Sequence, residues 1–113
     1  MLYNWIKIAE SFAECTTNDN HLAEIEVDGK KICLAKQNGT LYACAHKCPH
    51  AGGKMAEGYL DALGNIVCPI HRYKFSLQSG RNVSGEGYFL RNFPVEIRND
   101  GVFVGFKKNI FGK

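Results

Sequence analysis

Apolar and polar residues alternate in short runs along most of this chain, and turn dipeptides punctuate the runs. Asp28-Gly29, Asn38-Gly39 and Asp100-Gly101 each stand between two such runs. Asn-Gly and Asp-Gly tolerate the positive φ angles of type I′ turns, whose twist matches that of paired strands. The pattern predicts strands over 22–27, 31–36, 40–45, 65–68, 93–98 and 102–106, with another from Trp5 to Ala9. Gly64-Asn65 reads as a fourth turn, carrying Tyr59-Leu60-Asp61 back into Ile66-Val67. Helical periodicity is confined to a single turn at Ser11 to Glu14, and Lys107 to Lys113 reads as a frayed tail. Short strands at close spacing predict an all-β fold of small antiparallel sheets.

Length and composition narrow the picture further. A chain of 113 residues, 45% hydrophobic and 22% charged, fits one globular domain, 1–113. No apolar run approaches the roughly 20 residues that span a bilayer. Asn4, Lys7 and Glu10 interrupt the first ten residues, so no secretory leader is read and a cytoplasmic, membrane-free setting is expected. A net charge of +3 is too small to point to nucleic acid. Its placement says more. Residues 44 to 81 hold Lys47, Lys54, Arg72, Lys74 and Arg81 against Glu57 and Asp61, an excess of +3 that equals that of the whole chain.

The five cysteines are an odd number, which argues against a disulfide framework. In a reducing compartment, Cys and His gathered together more often mean metal. Cys48-Pro49-His50 and Cys68-Pro69-Ile70-His71 form a C-x-H and a C-x-x-H pair, with residues 51 to 67 between them. A hairpin within that stretch would return the second pair to the first, gathering two soft thiolates and two borderline imidazoles. A proline after each cysteine stiffens its loop, and Gly52-Gly53 allows close backbone approach. Structural zinc sites usually space their ligands as C-x(2–4)-C and H-x(3–5)-H, unlike this chain. Cys44-Ala45-His46 is a second C-x-H, but it lacks the Ala-Gly-Gly that follows His50. Cys44 is therefore expected to end a core strand, His46 to lie in a loop, Cys33 to act as a small core hydrophobe, and His21 to face solvent. Cys15 has no histidine partner nearby.

Cys48-Pro49-His50-Ala51-Gly52-Gly53 followed by Cys68-Pro69-Ile70-His71 resembles the ligand motif of the Rieske [2Fe–2S] family. Phe75 to Arg81 is similar to the F-x-x-x-(S/T)-G stretch of that family, and Phe93-Pro94-Val95 and Val102 to Gly105 to its closing strands. The resemblance implies a stack of small antiparallel sheets, with a cluster-binding part near 44–81 inserted into a basal β subdomain. It implies one [2Fe–2S] cluster per chain, with Cys48 and Cys68 on one iron and His50 and His71 on the other. It implies a stand-alone, non-enzymatic ferredoxin that passes electrons from an NAD(P)H-dependent reductase to a terminal oxygenase or another acceptor. Lys47, Lys54, Arg72 and Lys74 would then form the docking rim. A redox-sensing module and a nitrite-reductase small subunit are the alternatives.

High-potential relatives carry a loop-bridging disulfide at positions that match Gly53 and Ile70 here, and hydroxyl donors at positions that match Tyr73 and Phe75. Without that bridge and with Phe75 in place of a donor, a low potential is expected. Three features depart from the family pattern. Arg72 stands where Gly is common, Lys54-Met55 where Pro-Leu is frequent, and residues 83–87 contain no proline.

Overall fold

A computed structural model describes residues 2–15, 17–49, 52–85 and 87–108. Ten strands occur along it: β1 (Tyr3–Ala9), β2 (Leu22–Val27), β3 (Lys30–Gln37), β4 (Thr40–Ala45), β5 (Tyr59–Leu60), β6 (Asn65–Val67), β7 (Lys74–Ser76), β8 (Asn92–Phe93), β9 (Val95–Arg98) and β10 (Gly101–Lys107). They form three antiparallel sheets, ordered β1-β10-β9, β2-β3-β4-β8 and β5-β6-β7. Single 3-10 turns stand at Phe12–Glu14 and Met55–Glu57.

The four-stranded sheet is the middle layer. Along β3, Ile32, Cys33, Leu34 and Ala35 are all buried, which is the signature of a strand covered on both faces. Ile32 and Leu34 pack with Val102, Val104 and Phe106 of β10. Cys33 and Ala35 face the opposite way and pack with Met55, Ile66, Cys68, Phe75, Leu77 and Leu90. Side-chain amides tie this second face to the third sheet and its loops. Asn20 Nδ2 donates to the carbonyls of Ala56 and Gly58, both at 2.9 Å. Gln37 Nε2 reaches Asp61 O at 2.8 Å, and Asn92 Nδ2 reaches Gln78 O at 2.7 Å.

Two turns form as the dipeptides predict, with positive φ at Asp28 and Gly29 and at Asn38 and Gly39. Two do not. Gly101 pairs with Arg98 and opens β10, so Asn99 and Asp100 make the bend. Asp61 to Gly64 form a longer loop in place of a Gly64-Asn65 turn. The Asp61 carboxylate accepts N–H donations from Leu63 and Asn65 at 2.9 and 3.0 Å. Desolvation, the largest single influence on Asp61, raises its pKa. The donations from Asn65, then Leu63, and the charge of Lys74 together outweigh it, so the net direction is down.

The strand expected over 93–98 splits at Pro94, which has no N–H to continue a ladder. β8 pairs with β4 in the middle sheet, whereas β9 pairs with β10 in the first. Lys107 also departs from expectation. It ends β10 opposite Tyr3, and Lys108 N–H donates to Leu2 O at 2.8 Å, while residues 109–113 of the expected tail lie outside the described residues. No helix among the described residues is long and apolar enough to cross a membrane.

Candidate metal centre

Two loops, one following β4 and one joining β6 to β7, are each closed at the base by backbone hydrogen bonds, and each carries a cysteine at that base. In the first, Cys48 N–H donates to Gly53 O at 2.8 Å and Gly52 N–H to Cys48 O at 2.9 Å. An isolated bridge between Lys47 and Lys54 and a 2.8 Å bond from Met55 N–H to His46 O continue the closure downward. In the second, which follows β6, Cys68 N–H donates to Tyr73 O at 2.8 Å. The hairpin expected between the two pairs is present as β5 and β6, with β7 added on the outer side of β6. The sequence pattern did not reveal β7, because its three residues lie directly beside loop chemistry.

The loops bring Cys48 and Cys68 together. Both are buried, at 2% and 0% exposure, and their thiols lie within hydrogen-bonding reach of each other. Burial above all, with the Cys48 thiol adding to it and the Ile70 N–H opposing, pushes the Cys68 thiol up to about 11. The Ile70 N–H donates to Cys68 Sγ at 3.4 Å, so this sulfur already receives one backbone donor. Gly53 is part of the cradle: a Cβ there would lie 3.3 Å from Cys68 Sγ and 2.9 Å from Ile70 Cδ1. Two buried thiols with a backbone donor and a side-chain-free wall fit a sulfur-rich cluster. That closeness also shows that positions 53 and 70 face one another across the loops.

His71 is exposed at the tip of the second loop, past the buried Cys68. His71 and Arg72 both take positive φ, 63° and 57°, as the two central residues of a type I′ turn must. This accounts for the preference for Gly at the position of Arg72. His50 and Ala51 lie outside the described residues. Among the described residues, no three Cys, His, Asp or Glu side chains gather around one point.

The remaining sequence candidates fall into ordinary places. Cys44 is buried in β4 opposite Cys33 in β3. A hydrogen bond with the Cys33 thiol, then burial, holds the Cys44 thiol well above its usual range. His46 follows β4, half-buried, and His21 is exposed just before β2. Cys15 is buried, and its Sγ lies 3.7 Å from Ser11 O. All five cysteines are free. Phe75 is fully buried, and the Tyr73 ring meets that of Tyr88 with centroids 6.4 Å apart.

Residues 4–93 match the family model described as the Rieske [2Fe–2S] domain. The ferredoxin component of the naphthalene 1,2-dioxygenase system of Pseudomonas putida is 28% identical over 105 residues, covering 92% of this chain and 97% of that protein. The ferredoxin component of the alkene monooxygenase system of Xanthobacter autotrophicus is 26% identical over 87 residues, 77% of this chain and 71% of that one. Human apoptosis-inducing factor 3 is 33% identical over 100 residues, or 85% of this chain, which spans only 16% of that protein. Among solved structures, an oxygenase–ferredoxin complex of carbazole 1,9a-dioxygenase aligns with a TM-score of 0.75 at 23% identity, covering 94% of this chain and 96% of the matched one. A protein described as an NADH-dependent nitrite reductase small subunit, from Mycobacterium tuberculosis, aligns at 0.81 and 17% identity, covering 96% and 100%. These two likenesses concern the fold.

Proposed function

Because the chain belongs to the Rieske [2Fe–2S] domain family, we propose that it is a one-electron carrier between an NAD(P)H-dependent reductase and a terminal oxygenase. Cys48 and Cys68 would hold the inner iron, and His50 and His71 the outer one. The observation that carries this reading is the meeting of two buried thiols from separate loops, with His71 exposed at the tip beyond them. Bound there, a [2Fe–2S] cluster accepts and releases a single electron.

The chain's own residues do the rest. Met55, Ile66 and Phe75, all fully buried beneath the cysteines, exclude water from the sulfur side. His71 faces solvent, where a partner can approach. Lys47, Lys54, Arg72 and Lys74 are all exposed, and Lys47 and Lys54 stand directly opposite each other across the first loop. A positive rim favours the reduced, more negative centre and steers an acidic partner. Phe75 offers no hydroxyl, so we assign a potential toward the bottom of the approximately −150 to +300 mV Rieske range. A cytoplasmic setting, which keeps thiols reduced, suits the free cysteines.

Anaerobic reconstitution tests the ligand set and the class together. Two irons per chain, a Rieske EPR signal after dithionite, and loss of that signal in His50→Ala and His71→Ala support the reading. A colourless protein that takes up zinc and no iron would overturn it. A potential above about +150 mV would overturn the low-potential assignment alone.

A further inference from the structure

A second basic feature lies on the flank of the molecule, apart from the loop tips. Lys30 and Lys31 at the start of β3, His46 just past β4, Arg91 just before β8 and Lys107 at the end of β10 line one hollow of about 250 Å³, together with Phe93 and Phe106. No carboxylate lines it. Among the described residues, the ion pairs are Lys7–Glu10 and Glu96–Arg98, neither of which involves these cations. The hollow thus gathers four full positive charges in a chain whose net charge is +3.

The aromatic floor holds two of these four charges in place. Phe93 and Phe106 lie 5.1 Å apart at 50°. Lys30 Nζ sits 5.3 Å from the Phe106 ring centroid, and Arg91 Cζ sits 5.5 Å from that of Phe93. Each cation is fixed by the negative face of a ring, so their side-chain freedom is partly spent before anything binds. Like charges held side by side repel, and a binding anion relieves that repulsion. The hollow also adjoins the first loop, because His46 lies two residues before Cys48 and its carbonyl receives the Met55 N–H.

We propose that this flank hollow receives an acidic peptide segment of the protein that exchanges electrons with this chain. The proposal rests on the carrier reading for the identity of the partner. The charge complementarity and the continuity with the first loop stand independently of it. The four cations come from three separate stretches of chain, an arrangement suited to an extended acidic segment more than to one compact anion. A contact on the flank also fixes rotation about the loop tips, which a ring of lysines around the centre does not do alone. The hollow would therefore select the orientation in which a partner seats.

The probe is a capped octaglutamate peptide, titrated at low salt into the iron-loaded protein by calorimetry and amide NMR. Binding should shift amides at 30–32, 91 and 105–107, and Lys30→Gln with Arg91→Gln should weaken it about tenfold. Lys31→Gln with Lys107→Gln should also weaken it, and this pair leaves the aromatic floor untouched. Lys54→Gln with Lys74→Gln should leave the flank shifts in place. Shifts confined to residues 47, 54, 72 and 74 would overturn the proposal, as would unchanged affinity in both flank pairs. Tighter binding of tripolyphosphate at the same amides would also overturn it, showing a small-anion site. Peptide binding needs no electron transfer, so failure here is distinct from failure of the carrier reading.

Discussion

Replacing Arg72 by glycine should stabilise the protein, although it removes a long side chain. The residue sits at φ 57°, directly after His71 at φ 63°. A non-glycine residue in the left-handed region costs about 1–2 kcal/mol. Histidine bears this better than most residues, whereas arginine has no such preference. Glycine removes that cost but gives the unfolded chain more freedom, which returns about 0.4–1 kcal/mol. The net gain for Arg72→Gly is then about 0.5–1 kcal/mol. Arg72→Ala is the control, since it removes the same charge and keeps the strained backbone. The assay is anaerobic urea unfolding of the variants with the metal centre in the same state. With a slope of about 2 kcal/mol per M, the glycine variant should unfold about 0.25–0.5 M later than wild type. Equal midpoints for the glycine and alanine variants would refute the reasoning. Both variants should slow reduction by a partner equally, because both lose the same rim charge.

Two further outcomes follow from the same geometry. Asp61 has a lowered pKa in the folded state, so its stabilisation is present above the unfolded carboxylate value near about 3.9 and is lost as pH falls through the lower folded value. Asp61→Asn should therefore be less stable than wild type at neutral pH, with the gap closing in acid; a gap independent of pH between about 2 and 6 would contradict this account. Gly80 has φ 79°, and a Cβ there would overlap Leu90 O. Gly80→Ala should cost about 2 kcal/mol or more in urea unfolding, whereas Gly29→Ala, with open space around it, should cost only its backbone strain.

Much of this molecule was legible in the order of its residues, for identifiable physical reasons. Turn dipeptides that place two positive φ angles in succession marked the hairpins at 28–29 and 38–39. The unbroken apolar run in β3 follows from a middle layer that buries both faces of its strand. Asp100-Gly101 misled because the glycine serves the strand next to Ala9, where a Cβ would crowd Ala9 O and Lys7, and not the turn itself. Pro94 was visible, but not that the chain changes sheets there. Sheet membership depends on distant partners that alternation does not encode. At the candidate centre, the meeting of Cys48 and Cys68 was readable from motif spacing. The paired left-handed residues, the thiol contact of Cys33 with Cys44 and the flank hollow were not. The first is a backbone conformation shared by two adjacent loop residues, and the other two join residues through packing between separate strands.

The break at Pro94 has a mechanical meaning. Phe93 is hydrogen-bonded into one sheet and Val95 into the next, so one residue of covalent chain joins two layers that also share a hydrophobic interior. So short a tether leaves no slack for one layer to slide or tilt against the other. The base is thereby a stiff mount for the two loops that carry Cys48 and Cys68.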